Sequence, residues 1–289
     1  MKILDNHVHT HFSIDAKDTM EDVIKRAIDI GVDYLTFTDH LEYNTDHFSL
    51  DIHQYISKIA EYKEKYKKDI ELLTGIEVGY QSHLNKEINE LLNLSQFDFI
   101  LCSTHTIEKI PVSYKEYFEG FSKEEAYRKY FNSIIQTNKE FSNYDVYGHL
   151  DYINRYAIYE DNKILYNDYR DVLDEVLKII IEKGKGIELN TSGYRYGLNS
   201  IHPNIDIVKR YKELGGEIIT LGSDSHRAID VCADFDKSYE MLECLGFRYV
   251  SVFKIESVNL YRYIKVHIIQ HNRKACHGET TADQSIYIL

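Results

Sequence analysis

His7 and His9 stand two residues apart just after the apolar pair Ile3-Leu4, in the segment ILDNHVHTHFSID. On an extended strand, residues i and i+2 project from one face, so the two imidazoles can converge on one cation. The arrangement recurs along the chain. His40 ends YLTFTDH, Glu77 falls in ELLTGIEV, His105 ends FDFILCSTH, His149 sits in VYGHLD, and Asp224 and His226 close IITLGSDSH. Each is a side chain able to bind a divalent cation, placed just beyond a short β-branched or aromatic run, where an α/β barrel keeps its active site. A lone strand-end histidine is more often a hydrogen-bonded structural residue. Repetition after strand upon strand points instead to a shared metal centre. A single catalytic zinc takes about three protein ligands. The set His7, His9, Asp15, His40, Glu77, His105, His149, Asp224 and His226 therefore suits two or three divalent ions bridged by a carboxylate, with Glu77 the best bridge. Asp39 and His40 are adjacent and point apart, so His40 is read as the ligand and Asp39 as a partner that orients an imidazole. His11 continues the i+2 series, but the chain is already turning toward Asp15 and the same-face rule fails. It is read as a loop histidine.

Elements that could position these residues alternate strand with helix, the pattern of a parallel sheet with crossover helices. Thr19 can cap a first helix whose stripe is Val23, Ile24, Ala27 and Ile28, with Gly31 to end it. Further helices are predicted at Tyr55 to Tyr66, Leu84 to Leu94, Ser122 to Phe141, Val172 to Ile181, Ile205 to Leu214 and Phe235 to Leu245. Ser122 and Glu125 form a capping box, and Gly184, Gly215 and Gly246 fall where helices end. Strands are predicted at Ile70 to Glu77, Phe97 to Ser103, Asp145 to Gly148, Gly186 to Asn190, Glu217 to Gly222 and Arg248 to Phe253. With the first two strands this makes about seven or eight βα units, enough to close a barrel. An open doubly wound sheet is the competitor. It would gather ligands at one switch point, whereas here nearly every strand offers one. Residues 106–121, with Pro111, Tyr114, Tyr117, Phe118 and Phe121, read as a long loop and a substrate wall, with Tyr117 and Phe118 as stacking partners. Residues 1–264 are read as one catalytic barrel. Residues 265–289 are read as a poorly packed extension, whose His267, His271 and His277 are solvated rather than ligands.

Composition narrows the function classes. A net charge of −13 with 28% charged residues describes an acidic protein that repels bare nucleic acid and tolerates cationic substrates. Cys102, Cys232, Cys244 and Cys276 show no Cys-x-x-Cys pairing, so neither a disulfide framework nor a thiolate zinc site is expected. No window approaches the roughly 18 apolar residues of a spanning helix, and Lys2 leads into acidic and histidine residues, so a cytoplasmic protein is expected. The 25 tyrosines form no stripe and are read as compositional bias.

Taken in order, HVHTHFSID, FTDH, GIEV, STH, GHLD and GSDSH over residues 3–253 resemble the polymerase-and-histidinol-phosphatase (PHP) superfamily, and within it the monofunctional histidinol-phosphatases. The resemblance implies a distorted (β/α)7 TIM-like barrel with a trinuclear metal site at the C-terminal ends of the strands. His7, His9, Glu77 and Asp224 would then hold one ion, Asp15, His40 and His226 a second, and Glu77, His105 and His149 a third. Some members have histidine where this chain has Asp15. A carboxylate there favours manganese or iron over zinc. GHLDYINRY places Arg155 after His149, and IELNTSGYR places Arg195 after Glu188 and Asn190. In similar phosphatases the matching arginines grip the substrate phosphate, a task suited to a planar, permanently charged guanidinium. Glu188 and Asn190 would line the pocket floor. The expected activity is metal-dependent hydrolysis of a small phosphorylated substrate, L-histidinol phosphate, in histidine biosynthesis. The alternative is a PHP-type phosphoesterase acting on nucleotides or other small phosphate esters. A nuclease would need a basic track and stacking platforms. Neither is visible.

Overall fold

Parallel strands alternate with helices around one axis in the computed structural model, which describes residues 2–44, 47–257 and 260–267. The barrel strands are β1 (Leu4–Val8), β2 (Tyr34–Phe37), β3 (Glu71–Gly79), β4 (Phe99–Ser103), β5 (Val146–Tyr147), β6 (Gly186–Asn190) and β7 (Ile219–Gly222), hydrogen-bonded in chain order. Eight of the nine residues of β3 are buried, as expected of a strand covered on both faces. Register runs from Leu4 opposite Tyr34, through Gly75 opposite Phe99, to Ile187 opposite Ile219. Closure comes just past the end of β7. Asp224 N–H donates to His7 C=O at 2.8 Å, His9 N–H donates to Ser225 C=O at 2.9 Å, and Val8 bridges Ser225. The seam of the barrel thus joins two of the segments that carry metal-competent side chains, and the expected seven-stranded TIM-like barrel is the fold observed.

The helices are α1 (Met20–Asp29), α2 (Ile52–Tyr66), α3 (Asn85–Leu92), α4 (Lys123–Glu140), α5 (Arg170–Glu182), α6 (Ser192–Arg195), α7 (Ile205–Glu213) and α8 (Phe235–Cys244). Thr19 and Asp22 form a reciprocal capping box at α1, which buries Met20, Val23, Ile24 and Ala27. The Ser122–Glu125 box does the same for α4. At the far end of α7, Gly215 adopts a φ of 94°, the left-handed conformation that favours glycine after a helix.

An eighth strand, β8 (Tyr249–Ser257), lies where sequence places one, but it does not enter the barrel. It pairs antiparallel with β9 (Leu260–His267). Phe253 packs on Phe99, Leu101 and Val146, Lys254 Nζ reaches Glu71 Oε1 at 2.5 Å, and Ile255 N–H donates to Asp98 Oδ1 at 2.9 Å. These partners mark the N-terminal ends of strands, so β8 covers the barrel end opposite the metal-competent residues. The boundary drawn at 264 falls inside β9. The backbone pairing runs past it, with Lys265 opposite Ser251 and His267 opposite Tyr249. Residues 268–289, with His271 and His277, lie outside the described residues. Cys102 and Cys232 are free thiols, and Cys276 lies outside the described residues. No described helix is long and apolar enough to cross a membrane.

Candidate metal centre and phosphate site

Strand ends bring the predicted ligands together. His7 lies on β1, and His9 follows it. His40 pairs beside Glu77 in register with β3, and His105, His149, Asp224 and His226 follow β4, β5 and β7. Around Glu77, Oε2 lies 3.5 Å from both His7 Nε2 and His9 Nε2 and 2.8 Å from His40 Nδ1. Its Oε1 lies 2.9 Å from His149 Nε2 and 3.6 Å from His105 Nε2. Asp224 Oδ1 stands 3.6 Å from His7 Nε2 and 3.5 Å from His9 Nε2 and His226 Nδ1. Asp15 Oδ2 is 3.1 Å from His226 Nε2 and 3.6 Å from His40 Nε2. Every candidate ligand therefore belongs to one cluster. His11 is exposed, its ring against Phe12, consistent with a loop histidine.

The outer ring nitrogens are engaged, which fixes what the inner ones can do. His7 Nδ1 meets Glu188 Oε1 at 2.6 Å, His9 Nδ1 meets Ser13 Oγ at 3.0 Å, and His105 Nδ1 bonds Glu42 Oε1. With protons committed to these acceptors, the Nε2 lone pairs face inward. Ser13 in turn donates to Asp39 at 2.7 Å and accepts from His40 N–H at 3.1 Å. Asp39 thus orients His9 through a hydroxyl rather than directly. Glu188 holds two ligand segments at once, since its Oε2 accepts from His149 N–H at 2.9 Å and from Asn190 Nδ2 at 3.0 Å. Glu188 and Asn190 serve as braces beneath the centre.

These residues fit a group of divalent cations. His7 Nε2 and His9 Nε2 face each other at 2.9 Å. Glu77 Oε2 is buried and faces the ring nitrogens of His7, His9 and His40 at once. Imidazoles and carboxylates in one cluster form a mixed nitrogen and oxygen donor set. Sets of three donor atoms close enough for one ion occur at His7, His9 and Asp224, at His9, His40 and His226, at His7, Glu77 and His149, and at His40, Glu42 and His105.

Burial disfavours charge at all of these groups. For Glu77 it is overcome by His7, His105 and His40, which hold the carboxyl well below its usual range. For Asp224 it is overcome by His7 and His9. His9 goes the other way, because burial and the neighbouring His226 and His40 push it well below a free imidazole. His7 is raised, burial being outweighed by Glu188, Glu77 and Asp224. Burial lifts Asp39 to about 6 despite bonds from Ser13 and Thr10.

The cluster opens on a cavity of about 870 Å3 whose walls include His40, His105, His149 and His226. Asp15 sits at its rim, 54% exposed. Arg155 also lines it. Its Nη2 bonds Ser192 Oγ and lies 3.3 Å from Asp224 Oδ2, and its guanidinium stacks 3.9 Å from the Tyr196 ring centroid. Burial notwithstanding, Asp224 keeps this guanidinium firmly charged. Nε of Arg155 and Nη1 of Arg195 are buried donors without partners among the described residues. Arg195 does not line the cavity. Its Nη2 is turned to the carbonyl of Ser223 and, at 3.4 Å, that of Asp224.

The aromatic wall needs correction. Tyr117 and Phe118 are buried in the hydrophobic core, with Tyr117 Oη donating to Ala126 C=O at 3.1 Å. A 3-10 turn at Lys115–Tyr117 directs them under α4 instead of into the cavity. From the same loop, Pro111 and Tyr114 reach the cavity wall. Sequence reading missed Glu42, Ser13 and Ser192. Glu42 was within reach of the rule applied to His7 and His9, since it lies two residues past His40 on an extended segment.

A PHP domain model matches residues 5–192, and the chain belongs to the PHP domain family, within which it groups with the histidinol-phosphatases. Histidinol-phosphatase from Lactococcus lactis subsp. lactis (strain IL1403) is 32% identical over 256 residues, covering 88% of this chain and 95% of that protein. A Clostridium acetobutylicum protein named "probable histidinol-phosphatase" is 32% identical over 248 residues, 83% of this chain and 93% of its own length. A crystal structure of the Lactococcus lactis histidinol phosphate phosphatase, complexed with zinc, L-histidinol and phosphate, superposes with a TM-score of 0.82 at 32% identity, covering 88% of this chain and 97% of that one.

Proposed function

We propose that this protein is a metal-dependent phosphomonoesterase that hydrolyses L-histidinol phosphate to L-histidinol and inorganic phosphate, as a step of histidine biosynthesis. The observation that carries the reading is the meeting of nine metal-competent side chains with a charged, cavity-lining arginine at one barrel mouth. Similarity to an enzyme crystallised with zinc, L-histidinol and phosphate supports the substrate. His7, His9, Glu77 and Asp224 would hold one ion, Asp15, His40 and His226 a second, and Glu77, His105 and His149 a third. Asp15 adds an oxygen donor at the rim that suits manganese or iron as well as zinc. Divalent ions bound there supply Lewis-acid stabilisation of a phosphoryl oxygen and a water ionised near neutral pH.

The chain's own residues do the positioning. Arg155, stacked on Tyr196 and braced by Ser192 and Asp224, aims a charged fork at the phosphate, where transition-state charge gathers on the equatorial oxygens. Arg195 holds the Ser223–Asp224 backbone in place and acts on the phosphate only through that segment. Glu188, Ser13 and Glu42 keep three imidazoles in the ligating tautomer, so the site needs no rearrangement when substrate arrives. The acidic field of the protein accommodates a cationic amine and imidazole on the leaving group.

A phosphate-release panel on metal-replete protein tests this. Histidinol phosphate should exceed nucleotides, sugar phosphates and an aryl phosphate in kcat/KM by about a hundredfold or more. Equal, weak turnover of all would sink the substrate assignment and leave a general phosphoesterase.

A further inference from the structure

We infer that His202, locked to Asp151, is a positioning residue that sets the Arg155 turn for phosphate binding by tying it to the segment that carries Ser192. The inference rests on the reading of Arg155 as a phosphate ligand. Both residues are fully buried, at 0% and 1% exposure, and neither lines the cavity. His202 Nδ1 donates to Asp151 Oδ1 at 2.5 Å, and Asp151 Oδ2 accepts from Asn204 N–H at 2.9 Å. Nε2 of His202 has no hydrogen-bond partner among the described residues, so the polar function of this ring is the Asp151 bond. Burying such a pair is costly unless the bond it makes fixes a geometry worth keeping.

Its position says which geometry. Asp151 immediately precedes the 3-10 turn Tyr152–Arg155 that carries Arg155. The His202 backbone pairs with Asn190 in both directions, at 2.7 and 2.8 Å, at the end of β6. Its ring abuts Gly193 in α6, the turn that carries Ser192 and Arg195. A Cβ on Gly193 would come within 3.3 Å of His202 Cδ2 and 2.2 Å of Ser200 C=O. One imidazole therefore clamps the Arg155 turn to the segment that braces Arg155 through Ser192. The metal ligand next to Asp151 is held separately, because His149 N–H is bonded to Glu188. Losing the clamp should loosen phosphate recognition and spare the metals.

The test compares His202→Ala, His202→Gln, His202→Asn, Arg155→Ala and the Arg155→Ala/His202→Ala double variant as metal-loaded full-length proteins. Metal per chain, inhibition by inorganic phosphate and kcat/KM are measured on each. His202→Ala should keep its metals and lose roughly tenfold in phosphate affinity and kcat/KM, the size of one lost buried hydrogen bond. His202→Gln fills more of the space and moves the polar end away from Asp151, so it keeps the test open if the alanine variant does not fold, and it should show the same loss. His202→Asn places an amide N–H near the position of Nδ1 and should recover most of the affinity. On the Arg155→Ala background the further loss should fall below about twofold. A His202→Ala protein inhibited by phosphate like the parent, an undiminished loss without Arg155, or metal loss in parallel with activity would each overturn the positioning role. Unchanged phosphate inhibition in Arg155→Ala would overturn the phosphate-ligand reading and this inference with it. Because inorganic phosphate is the probe, a wrong substrate assignment leaves the test intact.

Discussion

At the scale of single residues, the proposed site separates candidate cation ligands from a candidate phosphate ligand. His7 and Arg155 represent the two. Replacing His7 with alanine removes a nitrogen facing His9, Glu77 and Asp224, so metal per chain and turnover should fall together. Replacing Arg155 with alanine leaves every candidate ligand in place. Metal content should hold while kcat/KM drops on the order of a hundredfold to a thousandfold. Elemental analysis beside steady-state kinetics separates the outcomes, and full turnover in Arg155→Ala would refute its role. That the nine metal-competent side chains meet was legible in sequence because most of them follow short β-branched or aromatic runs with fixed strand parity. Glu42 was legible by the same parity and was passed over. Ser13 and Ser192 were not, since a serine in a loop carries no sign of which distant atoms its hydroxyl will meet.

Among the elements, the strands act as a jig for the ligands. Gly222 shows how tight that jig is. A methyl group there would lie 2.1 Å from Glu188 Oε1 and 2.6 Å from His7 Cβ, so Gly222→Ala must displace the carboxylate that orients His7 and bonds His149 N–H. Metal affinity should fall about 10–100-fold in a folded protein, read by competition with a chromogenic chelator; parental affinity would show that Glu188 is dispensable. The cap at Thr19, the capping box at Ser122 and the strand positions were readable, because they depend on neighbours two to four residues apart. Tyr117 and Phe118 were misplaced for the opposite reason. An aromatic in a loop can face solvent, cavity or core, and the 3-10 turn after Tyr114 decided for the core. The β8–β9 hairpin was half readable. Arg248 to Phe253 looks like a strand, but nothing local says that it plugs the barrel's base.

For the whole molecule, stability and cation binding are linked through protons. Without metal, carboxylates raise His7 and His40 above a free imidazole against the cost of burial. The stabilisation from those protons is complete below the unfolded value of about 6.5 and is lost as pH rises through the folded values. His9 acts in the opposite sense, its contribution being present above about 6.5 and lost as pH falls through its lowered folded value. Cations need neutral imidazoles, so their binding strengthens as pH rises. The Tm difference between metal-loaded and chelated protein should therefore widen from about pH 6 to about pH 9. Differential scanning fluorimetry checks this, and a gap that narrows over that range would contradict a histidine-rich cation site.

By itself the chain's order of residues determined the alternation of strand and helix, and the types of the metal-competent side chains and their place at strand ends. Those properties follow from backbone periodicity and from contacts between near neighbours. The closed seam between β1 and the segment after β7, the bracing of Arg155 by Ser192, the turning of Arg195 toward carbonyls and the burial of Tyr117 and Phe118 were decided only by the tertiary structure. Each depends on atoms brought together from distant parts of the chain, and local propensity carries no information about which of them will meet.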